Sequence, residues 1–242
     1  MRYGIFSDIH SNLEALEAVL SAYQKESIGK YLCLGDIVGY AANPKECVRR
    51  IESLTQVNVA GNHDWAALDL FSVAYFNTAA AEAIFWTKSK IDDKSISFLK
   101  SMKLLYQNED LILVHGTLHE PQEFDYLTDC FVAKESFRLM QTNICFIGHT
   151  HVPGIFIRDK DGSTHYREGD YIQIQEGNKY IVNVGSVGQP RDGNPKAAYC
   201  IYDTKNKEVR IKRTDYDIRS ARNKIIEAGL PSFLGDRLLK GR

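Results

Sequence analysis

Arg2-Tyr3-Gly4-Ile5-Phe6-Ser7-Asp8-Ile9-His10-Ser11-Asn12-Leu13-Glu14 decides the fold, because its character changes twice within one short stretch. Residues 2–7 form an apolar run that reads as a buried strand. Asp8-Ile9-His10 follows at once, and Ser11-Asn12-Leu13-Glu14 has the spacing of a capping box that opens a helix. Leu13, Leu16, Leu20 and Tyr23 give that helix a single apolar stripe.

The same unit then repeats. Tyr31 to Leu34 is a strand leading to Asp36, Asn43-Pro44 starts a second helix, and residues 56–60 form a strand leading to Asn62. This is the rhythm of right-handed β-α-β crossovers. Asn77 to about Leu105 has helical spacing, with Ala80, Ile84, Phe85, Ile96, Leu99 and Leu105 as core contacts, and Leu111 to Val114 returns as a strand ending at His115. A helix over residues 128–141 precedes the strand Ile144 to Ile147, which delivers His149 and His151. After Pro153 the pattern is of hairpins, with turns at Asp161-Gly162 and Gly177-Asn178 and strands over Ile155 to Arg158 and Tyr180 to Val184. Ala198 to Tyr202 and Val209 to Lys212 extend this antiparallel region, and residues 217–228 and 232–239 close the chain as helices. No repeat or linker interrupts it, so one domain spanning 1–242 is expected.

A content of 44% hydrophobic and 25% charged residues over 242 positions is that of a globular protein with a full core. A formal net charge of −1 provides no basic field for nucleic acid or for an anionic membrane, so neither is expected as a partner. No apolar run approaches the roughly 18 residues of a spanning helix, and no signal-peptide pattern precedes Asp8. Cys33, Cys47, Cys130, Cys145 and Cys200 form no Cys-x-x-Cys pair, which fits a reducing cytoplasm. Cys33 and Cys145 read as small buried hydrophobes.

The chemistry is concentrated where the apolar runs stop: Asp8 and His10, Asp36, Asn62-His63-Asp64, His115, then His149 and His151. Five of the seven histidines lie at these places. Asp, Asn and His are poor core residues but good ligands for divalent metals, and strand ends are where an α/β sheet gathers its ligand. The pattern is that of a metalloenzyme.

This series resembles the calcineurin-like metallophosphoesterases, whose pattern is Asp-x-His, Gly-Asp, Gly-Asn-His-Asp/Glu, His and Gly-His-x-His. All the ligand positions of that pattern are filled. The resemblance implies an α/β fold, a four-layer α/β/β/α sandwich of two mixed sheets flanked by helices. It also implies a dinuclear centre in which Asp8, His10 and His151 hold one metal, Asn62, His115 and His149 the other, and Asp36 bridges them. Two divalent transition-metal ions among Mn, Fe, Zn, Co and Ni suit such an oxygen and nitrogen set. The activity implied is hydrolysis of a phosphodiester, phosphomonoester or phosphoanhydride by in-line attack of metal-activated water. A small phosphorylated molecule, such as a nucleotide, is the substrate class. His63 matches the family's catalytic histidine beside the leaving oxygen, and Asp64 is placed to orient its ring.

The protein phosphatases of that superfamily continue their second motif as Gly-Asp-x-x-Asp-Arg-Gly, whereas this chain reads Gly35-Asp36-Ile37-Val38-Gly39-Tyr40. Without that Arg and second Asp, the chain is closer to the small bacterial phosphodiesterase branch. A dinucleoside tetraphosphatase or protein phosphatase is the rival activity, and a catalytically silent scaffold is the rival of another kind. Two residues are candidate substrate contacts. Asn12, just past His10, suits either a phosphate oxygen or a helix cap. Arg191 lies in a Gly-rich loop, 183–193, suited to phosphate recognition. Tyr40 suits stacking on a base or packing against the second helix. His119 and His165 match no motif, and the basic residues from Arg219 to Arg242 read as a solvated helix face.

Overall fold

The computed structural model describes residues 1–55 and 57–242. In chain order its elements are β1 (Arg2–Phe6), α1 (Leu13–Tyr23), β2 (Lys30–Cys33), α2 (Pro44–Leu54), α3 (Asn62–Ala67), α4 (Thr78–Lys90), α5 (Asp93–Ser101), β3 (Leu105–Gln107), β4 (Ile112–Val114), α6 (Cys130–Leu139) and β5 (Ile144–Ile147). There follow β6 (Gly154–Arg158), β7 (Thr164–Arg167), β8 (Tyr171–Gln173), β9 (Lys179–Asn183), β10 (Ala197–Asp203), β11 (Glu208–Thr214), α7 (Ile218–Glu227) and α8 (Ser232–Asp236). None of the described helices is long and apolar enough to cross a membrane.

The opening stretch folds as a parallel crossover. β1 and β2 pair in parallel, and α1 lays Leu16, Val19, Leu20 and Tyr23 against Phe6, Cys33, Tyr199 and Ile201 of the sheet. The helix begins one residue later than the capping box predicts. Asn12 is its N-cap, accepting from the N–H of Ala15 at 3.1 Å. Ser11 does not cap because its backbone is left-handed, with φ of 56°, and its N–H is bonded to the Ile37 carbonyl, where Glu14 would otherwise reach back; Glu14 pairs with Lys224 instead.

Two mixed sheets carry the molecule, one in the order β2-β1-β10-β11-β8 and the other β3-β4-β5-β9-β6-β7. Ile5, Leu32, Leu113, Phe146, Val182 and Cys200 meet between them. α1 and α2 cover the outer face of the first sheet, and α6 covers that of the second through Ala133 and Phe137. These layers form the α/β/β/α sandwich. Two short strands of the second sheet, β4 and β5, run parallel and deliver their ends to the same edge as β1 and β2.

Four expectations change. The hairpin region does not stay in one sheet: β6, β7 and β9 join the second, while β8, β10 and β11 join the first. Alternation specifies which face of a strand is buried and leaves its partner open. Leu105 lies in β3 rather than ending a helix, and Phe85 is 56% exposed because α4 turns Ala83 and Ile84 inward instead. The strand expected over 56–60 lies partly outside the described residues, and Asn58 and Val59 make only isolated bridges, to Cys33 and Lys103. Cys33 and Cys145 are buried and unpaired, as small hydrophobes should be.

Candidate metal centre

Strands that end at one edge of the sandwich converge on a single point. β1 runs into Asp8 and His10, β2 into Asp36, β4 into His115, and β5 into His149 and His151. Asp8, His10, Asp36 and His151 offer donor atoms that all lie within 4.8 Å of one another, and Asp36, His115 and His149 form a second such group. Asp36 belongs to both. All these side chains are buried.

The backbone is held in an unusual state to achieve this. Asp8, His10, Asp36, His149 and His151 all have φ between 49° and 68°. Left-handed backbone costs a non-glycine residue about 1 kcal/mol or more, so the surroundings must enforce it. They do so by tying the loops together: Asp8 N–H donates to the Gly35 carbonyl, and His10 N–H to that of Asp36. Two glycines let the carboxylates approach. A Cβ at Gly61 would lie 2.0 Å from Asp36 Oδ1, and one at Gly148 would lie 2.5 Å from Asp8 Oδ2.

Backbone carbonyls also fix the imidazoles. His10 Nδ1 lies 3.1 Å from the Val38 oxygen, His115 Nδ1 2.7 Å from that of Leu34, and His151 Nδ1 2.6 Å from that of Gln189. A carbonyl can only accept, so each Nδ1 carries a proton and each Nε2 faces inward, free to offer its lone pair to a cation once unprotonated. There His10 Nε2 and His151 Nε2 stand 3.1 Å apart, as do His115 Nε2 and His149 Nδ1. Lone pairs at that distance repel unless a cation or a shared proton lies between them. The amide oxygen of Asn62 is buried with no hydrogen-bond partner among the described residues, an acceptor awaiting a positive group. Oxygen and imidazole donors in this arrangement fit divalent cations.

Burial has the largest influence on these groups. It raises Asp8 and Asp36, yet nearby histidines reverse this: His151 and His115 bring Asp8 below the usual carboxylate range, and His115 and His63 do so for Asp36. It lowers His10 and His151, and, helped by the charge of His115, takes His149 down to about 3. His115 is instead raised to about 9, because Asp36 and Asp8 outweigh burial. Ionised carboxylates beside mostly neutral imidazoles match what cation binding requires.

His63 lies against this cluster. Its N–H donates to Asp36 Oδ1 at 2.9 Å, and its ring is 4.7 Å from that of His10 and 4.5 Å from that of Tyr40. Nδ1 is buried without a partner among the described residues. Burial lowers the ring to about 4, with the charge of Arg191 acting in the same direction against Asp36, so His63 is neutral in the free protein. Asp64 does not orient it. The Asp64 carboxylate accepts the N–H groups of Asp36, Ile37, Val38 and Gly61 at 2.8–3.2 Å. In the first turn of α3 its side chain points back toward Gly61 and the loop after β2, away from the neighbouring imidazole.

Other sequence candidates divide. Asn12 has both ends of its amide engaged, with Oδ1 capping α1 and Nδ2 donating to the Gly188 carbonyl at 2.8 Å. The Gly-rich loop spends its amides on the site's own backbone, Val187 N–H on Ser7 O and Gly188 N–H on Asp8 O, so it is a brace and offers no phosphate cradle there. Arg191 stands apart from that brace. Its guanidinium lies 5.7 Å over the Tyr40 ring, bonds the Gln189 side chain at 2.9 Å and reaches the Tyr40 hydroxyl at 3.3 Å. Tyr40 is buried against His10 and His63 and packs with Ala80, Ala221 and Leu234. His119 and His165 are half-exposed on the surface.

Three contributors were not anticipated. Gln189 orients His151 through its carbonyl and Arg191 through its side chain, and its place beside Arg191 was the only signal. Tyr126 stacks on His149 with centroids 4.0 Å apart and planes 12° apart. Phe76 meets His63 edge-on at 4.7 Å. Nothing in the sequence marks these loop aromatics.

Comparison with known proteins agrees with this geometry. An uncharacterized protein of Methanocaldococcus jannaschii is 43% identical over 98% of this chain and 97% of its own length. The crystal structure of a metallophosphoesterase from Sphaerobacter thermophilus superimposes with a TM-score of 0.88 at 37% identity, covering 100% of this chain and 99% of that one. The phosphodiesterase YfcE of Escherichia coli is 24% identical over 84% of this chain and 88% of its own. The model of the calcineurin-like phosphoesterase superfamily domain matches residues 1–207. With that match spanning every strand-end ligand described above, the chain belongs to the calcineurin-like phosphoesterase superfamily.

Proposed function

We propose that this protein hydrolyses a phosphoester or phosphoanhydride of a small phosphorylated substrate at a centre of two divalent transition-metal ions. The observation that carries this reading is Asp36, whose carboxylate is common to two separate donor groups. Asp8, His10 and His151 would hold one ion, Asn62, His115 and His149 the second, with Asp36 between them. When bound, such a pair supplies positive charge to polarise a phosphoryl group and to lower the pKa of water. The name of the YfcE relative, a phosphodiesterase, favours diesters among the possible substrates.

The chain's own residues do the rest. The carbonyls of Val38, Leu34 and Gln189 keep three imidazoles in one tautomer, so that the site needs little rearrangement to accept its ions. His63, held by its N–H on Asp36, places its ring where a leaving oxygen could take a proton. Because it is neutral in the free protein, it would have to take up a proton from solvent when the anionic substrate binds before it could donate one. The guanidinium missing from the second motif comes instead from Arg191, laid over Tyr40, where it can contact a phosphoryl oxygen. The five cysteines, free in the structure, support a reducing compartment.

The test is hydrolysis of bis-p-nitrophenyl phosphate by protein loaded with Mn, together with elemental analysis. About two ions per chain and metal-dependent turnover are expected. Failure of turnover with each of Mn, Fe, Zn, Co and Ni would leave the fold as a silent scaffold.

A further inference from the structure

Beside the metal centre opens a cleft of about 320 Å³ that reaches Asn62, His63 and His149 and is walled by aromatic rings. Apart from Tyr40, the mechanism uses none of these walls. Tyr75 is 78% exposed and lies against Phe71 with centroids 5.3 Å apart, and Tyr126, 51% exposed, covers His149 with one face and leaves its other surface open. Large exposed aromatics from two segments lining one cleft, next to the proposed metal centre, form a surface for a flat ring rather than a structural core.

The loop carrying Tyr126 is held there at a cost. Glu120 and Phe124 have φ of 43° and 52°, a conformation that is strained for residues with these side chains. Phe124 is kept in it by edge contacts with Trp65 and Phe71, at 5.4 Å and 5.3 Å. Gly116 permits the loop to come close, since a Cβ there would lie 2.7 Å from the Asp125 carbonyl oxygen. Strain maintained by packing around a cleft is a mark of function.

Glu123 and Asp125 also line the cleft, and neither has an ion-pair partner among the described residues. Carboxylates beside an aromatic wall accept N–H groups and repel additional phosphates. We infer that this cleft binds the nucleobase of a nucleoside phosphoester, stacked at Tyr75 and Tyr126 with its N–H edge toward Glu123 and Asp125, while the phosphate lies at the metals. The inference rests on the proposed phosphoesterase reading and adds the substrate class to it.

The experiment compares GMP and AMP with ribose 5-phosphate, which lacks the ring, as ligands of the Mn-loaded full chain by titration calorimetry. Both nucleotides should bind about tenfold more tightly or better, the range expected of base stacking. In Tyr75→Ala that advantage should fall to within about twofold with ribose 5-phosphate affinity unchanged, and Tyr75→Phe should retain it. Tyr75 is exposed, so the variant should fold, and circular dichroism checks this. Equal binding of nucleotide and ribose 5-phosphate, or an advantage that survives in Tyr75→Ala, would overturn the inference. Failure of the underlying reading shows separately, as absence of bis-p-nitrophenyl phosphate hydrolysis by the wild-type chain.

Discussion

His63 and Arg191 sit within one ring's reach of each other's partner, Tyr40, yet their substitution should be felt differently. Removing the imidazole takes away a proton donor but none of the proposed ligands. His63→Ala should keep its metal content by elemental analysis and lose about 10²-fold or more in kcat. Among the described residues the Arg191 guanidinium binds only neutral partners, Tyr40 and Gln189, which leaves its charge for an incoming anion. Arg191→Ala should raise KM about tenfold with kcat changed less than about twofold, as expected when a charged contact to the ground state is lost. Asp64 acts on the frame instead of the chemistry. Four backbone N–H groups would lose their acceptor in Asp64→Ala, and urea unfolding should show a loss of about 3 kcal/mol, accompanied by weaker metal retention.

At the level of elements, caps and crossovers place the strand ends. α6 begins at Asp129, whose carboxylate accepts the N–H groups of Phe131 and Val132 at 2.8 and 3.0 Å on an exposed surface. Asp129→Ala should cost about 1 kcal/mol in urea unfolding and leave turnover unchanged, because α6 contributes a face to the core and nothing to the site. α1 does both. Its stripe holds β1 in place, and Asn12, at its start, ties the helix to Gly188 in the bracing loop. An apolar stripe at helical spacing was therefore legible before the structure. The capping residue was not, because Ser11 and Asn12 are both good caps and only the left-handed backbone that the fold imposes at Ser11 removes one of them.

For the whole molecule, the ligands are the point where the two sheets are joined. Asp8, His10 and Asp36 come from the first sheet and His115, His149 and His151 from the second, so bound cations would clamp the sandwich across its edge. Chelation should lower the thermal midpoint and added Mn should restore it, with a concentration dependence that follows binding to the folded state alone. A midpoint indifferent to both chelator and Mn would show that the clamp contributes nothing.

The sequence by itself determined which strands would run parallel at the start, which residue types would gather at their ends, and the family to which the pattern belongs. Those features are local: an apolar run, a polar stop and a helical stripe are visible in consecutive residues. Only the tertiary structure decided that β8, β10 and β11 leave the hairpin region for the first sheet, that Asp64 organises a loop rather than an imidazole, and that Tyr75 and Tyr126 line one cleft beside His149. Pairing partners, hydrogen-bond acceptors and cleft walls are set by residues far apart in the chain, and periodicity carries no record of them.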